Sequence, residues 1–295
     1  MIAIVGILIV FGAIVGGYLM EHGKLLVLLQ PAELLIILGA AIGTLLVANP
    51  LPTLIRIGKG LAGVFLGGGY SKAVYIDNLK MLFELFNYAR KSGMAKLEED
   101  VDNPTKSAVF KKYPRFLNSH HALHFLCDSL RTAVTGGLDP MDIDQMMEVD
   151  LEVHHRESQE PIASLSTMAD SLPGLGIVAA VLGVVITMGA LGGPKEEIGH
   201  RVAAALVGTF LGILFCYGLF GPLASAMSKG NEAEACYFGF LRMAVLGFVK
   251  GISPILVVEL ARRAIPTEVR PTFQEMEAAC RGGTKVASPQ APQAA

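Results

Sequence analysis

Long apolar runs separated by short polar breaks set the pattern of this chain. No charged side chain occurs between Ser171 and Pro194, and none between Arg201 and Lys229. Each run holds about the twenty residues a helix needs to cross a hydrocarbon core of roughly 30 Å. Only a helix spans lipid alone, because lipid offers no partner to free backbone groups. The connector GGPKEEIGH at 192–200 is too short to be a domain, so the two runs form a transmembrane hairpin. Residues 1–20 are apolar throughout and 25–48 are apolar again after a polar break from Glu21 to Lys24. Gln30-Pro31-Ala32-Glu33 interrupts the second run, and Pro31 with Glu33 marks the start of its spanning part. These runs form a second hairpin, giving four spans.

Small residues recur at four-residue spacing: Gly12 and Gly16, Gly39 and Gly43, Ala179 and Gly183, Gly208 and Gly212. The spacing lets helix backbones approach closely. Ordinary tight packing explains any one pair as well as a moving interface does. Pro173 and Pro222 stand near the ends of the second hairpin that share one membrane face, and each can kink its helix. Thr209 and Tyr217 are polar groups two turns apart on the fourth span. No Asp, Glu, Lys, Arg or His lies deep in the third or fourth span, so an ion crossing there needs a carrier from elsewhere.

The stretch 49–168 reads as helical. Ile76, Leu79, Phe83 and Phe86 share a stripe, and Gly93 is the expected stop. The charged segment KLEEDVDNP ends at Pro104. Ser119 is placed to cap a helix carrying Leu123, Leu126, Leu130 and Val134, closed by Gly136-Gly137. Asp139-Pro140 reads as a cap followed by proline at the first helical position. The helix it opens is expected to bend at Pro161 before Asp170. Asp170 itself reads as a helix cap or as a charge at a membrane entrance. Residues 238–260 are apolar enough to suggest a fifth span, but Arg242, Lys250 and Pro254 favour an amphipathic helix packed on the central region. From Gly282 the tail is low in complexity and expected to be disordered.

Composition agrees with a membrane protein: 52% of the 295 residues are hydrophobic and mean hydropathy is +0.52. A formal charge of −2 gives no reason to propose nucleic acid. Arg56, Lys59, Lys72, Lys229, Arg242 and Lys250 flank the spans, whereas the short connectors hold only Lys24, Lys195 and Arg201. The positive-inside rule then puts 49–168, the C-terminal tail and both termini in the cytoplasm. The N-terminus lacks the basic region of a signal peptide and reads as a retained helix. Cys127, Cys216, Cys236 and Cys280 form no CxxC pair, which points away from a zinc site or disulfide framework.

The fold class expected is therefore an all-α integral membrane protein. Its parts are a hairpin at 1–48, a helical cytoplasmic domain at 49–168, a hairpin at 169–227, a cytoplasmic helical extension at 228–281 and a tail at 282–295. His120 and His124 have metal-ligand spacing but no acidic or cysteine partner at a convincing offset, so no metal is expected. Gly67-Gly68-Gly69 lacks the ending of a phosphate loop. No nucleophile pattern supports a covalent enzyme. Arg90 and Glu98 flank Gly93, where Arg90 can complement a helix C-terminus and Glu98 can be solvated.

Several motifs together resemble the MotA family, the proton-channel subunits of flagellar stators. They are GGYLM at 16–20, QPAEL at 30–34, FELFNYARKSGMAKLEEDVDNP, DSLPGLGIVAAVLGVV at 170–185, ALVGTFLGILFCYGLFGPLA at 205–224, VEL at 258–260 and RPTFQEME at 270–277. The resemblance covers nearly the whole chain. It implies no enzyme and no cofactor, but a transported proton in the bacterial inner membrane. It implies a ring of five chains around two copies of MotB, whose membrane aspartate carries the proton. It places rotor-facing charges, toward FliG, at Arg90 and Glu98, and coupling prolines at Pro173 and Pro222. It places channel-lining positions at Asp170, Ala180, Thr209 and Tyr217. Ala180 stands where sodium-driven relatives carry a hydroxyl, which favours protons. Asp150, where Glu is common, is a small departure. The alternative is an ExbB/TolQ-like energiser of envelope transport, although such chains usually have three spans. A passive membrane scaffold is the reading outside ion-driven machines.

Overall fold

The computed structural model describes residues 2–67, 69–189 and 195–282; the expected tail lies almost wholly outside them. Every regular element among the described residues is a helix. In chain order these are α1 (Ile2–Met20), α2 (Leu25–Leu28), α3 (Pro31–Ala48), α4 (Leu51–Leu66), α5 (Lys72–Ser92), α6 (Met94–Asp102), α7 (Pro114–Leu117), α8 (His120–Thr135), α9 (Pro140–Met188), α10 (Lys195–Phe215), α11 (Gly221–Val249), α12 (Pro254–Arg263) and α13 (Phe273–Arg281). A short 3₁₀ turn at 110–112 precedes α7, and a π-helical turn at 216–220 joins α10 to α11. Four helical stretches are long and apolar enough to cross a membrane, and they contain the four expected spans.

The chain forms two compact units, 1–68 with 156–231 and 69–155 with 232–295. Compactness cuts α9 between His155 and Arg156 and α11 between Asn231 and Glu232, whereas the sequence divides the chain by membrane crossing. The two criteria answer different questions.

The first unit holds α1 to α4, most of α9, α10 and the start of α11. Its apolar core includes Ile37, Ala41, Ile57, Leu165, Leu172, Ala179, Val207 and Leu211. The helix α4 opens directly after α3, with proline in its first turn. Polar pairs tie this segment to α9: Thr53 donates to Glu160 at 3.0 Å, and Ser164 donates to Asn49 at 2.6 Å. By contrast α1 buries no residue, and a methyl group at Gly12 or Gly16 would meet nothing within 4 Å.

In the second unit α5 is enclosed by α6, α12 and α13, so its buried face is broader than one stripe. Tyr75, Leu79, Met81, Leu82, Leu85, Phe86 and Ala89 are buried, while the expected Ile76 and Phe83 are only half-buried. Residues 238–260 belong to the core of this unit, through Phe240, Leu241, Ala244, Val245, Val257 and Val258. Phe86 stacks on Phe248 with ring centroids 4.5 Å apart. Arg242 donates to Asp144 at 2.6 Å and Glu148 at 3.3 Å, so the charge that argued against a fifth span is satisfied inside the unit.

Two readings of the sequence change. Ser119 occupies the N-cap of α8, but its side chain makes no capping bond. The helix α9 runs as one element through Pro161 and Pro173. Asp170 therefore lies in a helix interior and is no cap. Asp139 does cap, accepting from the Met141 amide at 2.8 Å.

Candidate functional site

In the first unit the site is the crossing of α9 and α10. These helices meet through glycine because nothing larger fits. A methyl at Gly176 would stand 2.8 Å from the Gly208 carbonyl oxygen, and one at Gly212 2.5 Å from the Leu172 carbonyl oxygen. A methyl at Gly208 would stand 3.2 Å from the Ala179 methyl and 3.3 Å from the Ala180 amide nitrogen. The stripe expected from spacing is thus real, and it reaches one turn further, to Gly176. Helix backbones this close exchange dispersion contacts that larger side chains would prevent.

The residues singled out in the sequence lie along these two helical runs. Ala180 is half-buried beside Gly208, and Thr209 is half-buried one residue on. Leu172, just before Pro173, is buried against the stripe, and Pro173 is half-buried. Asp170 and Pro222 are exposed, and Tyr217 is 73% exposed. The structure gathers Ala180 and Thr209 around Gly208 and leaves Asp170, Tyr217 and Pro222 on open helix surface.

The π-helical turn is explained by Pro222. Proline lacks the amide that would reach back four residues, and its ring crowds the carbonyl there. The helix accommodates this with one wider turn, in which the Gly221 amide bonds the Cys216 carbonyl five residues back. A methyl at Gly221 would stand 2.8 Å from that oxygen, so glycine is required there. The wide turn carries Tyr217.

Sequence reasoning missed one group. The sequence takes Glu33 only as a mark of where the second span begins, and the structure buries it. It lies in the first turn of α3 and is 6% exposed. Its two oxygens lie toward Gly183 and Gly208. Glutamate two residues after proline is common at a helix start, which hid its burial.

In the second unit Arg90 and Glu98 flank the α5–α6 junction. Gly93 ends α5 with φ +91°, a conformation that favours glycine. Arg90 is exposed but committed in part: its Nη2 donates to the Gly251 carbonyl at 2.6 Å, in the turn between α11 and α12. Glu98 is half-exposed on α6. Nearby charges pair with one another, Lys96 with Glu99 at 2.7 Å and Arg131 with Asp102 at 2.7 Å. The hydrogen bond from Lys96 holds the Glu99 carboxyl below its usual range.

The same unit holds a cavity of about 300 Å³ lined by His120, His121, His124, His154, Asp128 and Asp150, with Phe125 and Phe238. The spacing of His120 and His124 is legible in the sequence; the arrival of His154 from α9 is not. Among the described residues no group of three or more His, Cys, Asp or Glu is arranged to hold a metal ion.

Comparison with known proteins fits this architecture. Residues 4–93 match the family described as Motility protein A N-terminal, and 118–237 match the MotA/TolQ/ExbB proton channel family. The chain is 39% identical to Motility protein A of Escherichia coli (strain K12) over 277 residues, 94% of each chain. It is 35% identical to Chemotaxis protein LafT of Vibrio parahaemolyticus, over 92% of this chain and 95% of that one. Among solved structures, C. jejuni MotAB superposes with a TM-score of 0.74 at 20% identity, covering 90% of this chain and 96% of that chain. The flagellar MotAB stator complex from Bacillus subtilis gives 0.72 at 23% identity, with the same coverage.

Proposed function

The chain belongs to the Motility protein A family and is a stator subunit of the bacterial flagellar motor, and on that premise we propose how its parts divide the work. The observation that carries the premise is 39% identity along 94% of both chains. The chain is a multi-pass membrane protein; in our reading it sits in the inner membrane with both termini, 49–168 and 228–281 in the cytoplasm. Solved relatives are complexes named MotAB. By analogy this chain works with a MotB partner, five copies around two.

The partner's membrane carboxylate carries the proton past the half-buried positions Ala180 and Thr209, between Asp170 at the cytoplasmic end and the outer ends of the spans. Tyr217 and Asp170, exposed in one chain, then face the partner. Ala180 offers no oxygen to a dehydrated sodium ion, which needs several, so the ion is a proton. Neutralising the partner's carboxylate changes how its helix fits the glycine stripe. The shift travels along α9 and through the π turn, with Pro173 and Pro222 as the places where backbone hydrogen bonding is already interrupted. Arg90 and Glu98 meet opposite charges on the rotor protein FliG. One charge crossing 100 mV yields about 2.3 kcal/mol, so several protons are needed for substantial work.

Pro173→Ala tests the coupling role. Membrane assembly with the partner is expected to persist while torque is lost. Torque equal to that of the native chain would remove Pro173 from the coupling path.

A further inference from the structure

Glu33 combines three features that rarely occur together. It lies within a membrane-crossing stretch, its side chain is 6% exposed, and its Oε2 has no hydrogen-bond partner. The carboxyl is also aimed at a receptive surface. A methyl at Gly208 on α10 would stand 2.8 Å from Oε2, and one at Gly183 on α9 would stand 3.6 Å from Oε1. The glycine at 208 therefore makes room for the carboxyl as well as for the backbone of α9.

Among the described residues no donor reaches Oε2; α4, which also packs on α3, carries Arg56, paired with Glu157 at 3.6 Å, and the exposed Lys59. On α3 Glu33 is the only ionisable residue, and α2 has none. On α9 no ionisable group occurs from Ser171 to Met188. On α10 none occurs from Val202 to Phe215, and Arg201 stands about two turns before Gly208. A buried carboxylate without a partner is strongly disfavoured, and a proton removes the charge while leaving the side chain in place. A sodium ion would need several further oxygens. The two glycines that face the carboxyl are themselves flanked by Ala179, Ala180 and Ala205, and the Thr187 hydroxyl is already donated to the Gly183 carbonyl at 2.8 Å.

We propose that Glu33 is a proton-binding group of this chain inside the membrane, separate from any carboxylate of the partner, and that the proton it carries holds α3 against the α9–α10 crossing. The bound state forms an O–H bond on the Glu33 carboxyl with a proton drawn from the aqueous side; release returns that proton to water and leaves a carboxylate that must move from the glycine seat. The consequence for rotation rests on the stator reading above. The proton site itself does not.

The test uses the native chain with its partner in lipid nanodiscs, and the variants E33Q and G208A. Infrared spectra taken across a pH series are expected to show a carboxylic-acid C=O band that E33Q lacks and that persists when the partner's membrane aspartate is changed to asparagine. In a strain without stators, E33Q, which keeps the shape but cannot titrate, is expected to reach normal membrane levels yet change the pH dependence of motor speed, of which the partner's carboxylate sets the rest. G208A is expected to shift or broaden the band by crowding Oε2. An unchanged band in E33Q, or a speed–pH profile in E33Q matching the native one, would overturn the proposal. Failure of the native chain to restore rotation would instead overturn the stator reading, leaving the infrared band to decide Glu33.

Discussion

The side chains that carry the account are charged groups whose partners decide what they do. Arg242 reads in the sequence as one more cytoplasmic cation, yet its guanidinium lies between Asp144 and Glu148 at 24% exposure. Arg242→Ala leaves Asp144 desolvated without its partner. Its loss is expected to lower the stability of the second unit by about 1–3 kcal/mol, the usual cost of a charge-assisted hydrogen bond, read as a drop in melting temperature. Glu259 gives a pH prediction. The hydrogen bond from Arg262 holds its carboxyl below the usual carboxylate range; burial opposes this and Arg263 adds to it. The folded chain thus takes up this proton less readily than the unfolded chain. The stabilisation is present above the ordinary carboxylate value, about 4.3, and is lost as pH falls through the lower folded value. E259Q should flatten that acid-side decline in melting temperature; an unchanged slope would show that the pair contributes nothing. Burial also pushes the Cys127 thiol up to about 12, whereas Cys236 is exposed. A membrane-impermeant maleimide is therefore expected to label Cys236 in inverted vesicles but not in intact cells, and to spare Cys127 in both. Labelling of Cys236 from outside would reverse the proposed topology.

At the scale of elements, legibility in the sequence followed the range of the deciding interaction. The start of α9 at Asp139 and the stop of α5 at Gly93 depend on a cap and a glycine, which are local, and they were readable, whereas α8 begins after Ser119 without its side-chain cap. The width of the buried face of α5 depends on α6, α12 and α13, so Ile76 and Phe83 misled. Glu33 was misread for the same reason, because its burial is created by glycines about 150 and 175 residues away in the chain. The π turn was visible only as Pro222, since one proline can either kink a helix or widen a turn. Two element-level outcomes follow. Gly212→Ala places a methyl 2.5 Å from the Leu172 carbonyl oxygen and 2.9 Å from the Gly176 Cα, both backbone atoms that cannot move aside. It should force α9 and α10 apart and abolish stator assembly, seen as loss of partner co-purification. Thr272→Ala removes a complete capping box at the start of α13, where Glu275 also pairs with Lys72 of α5 at 2.8 Å. A loss of about 1 kcal/mol is expected, with α13 gaining amide hydrogen exchange before the rest of its unit.

For the whole molecule, four spans and two compact units suit a machine that gathers ion flow in one place and delivers force in another. The helices α9 and α11 each contribute to both units, so two of the three chain passages between them run inside helices, and the third is the connector between α4 and α5. The exposed faces of α1 and the unfilled stripe at Gly12 and Gly16 belong to a subunit that finishes its packing against lipid or other chains. The four spans and the family resemblance were plain in the sequence. The proton seat and the commitment of Arg90 to Gly251 were not, because both join residues distant in the chain. The central claim is that protons drive this stator. Swimming speed, in cells whose only stator is this chain with its native partner, tests it most directly when sodium is removed and a protonophore is then added. The account predicts unchanged swimming without sodium and collapse with the protonophore; swimming that fails without sodium, or survives the protonophore in its presence, would contradict it.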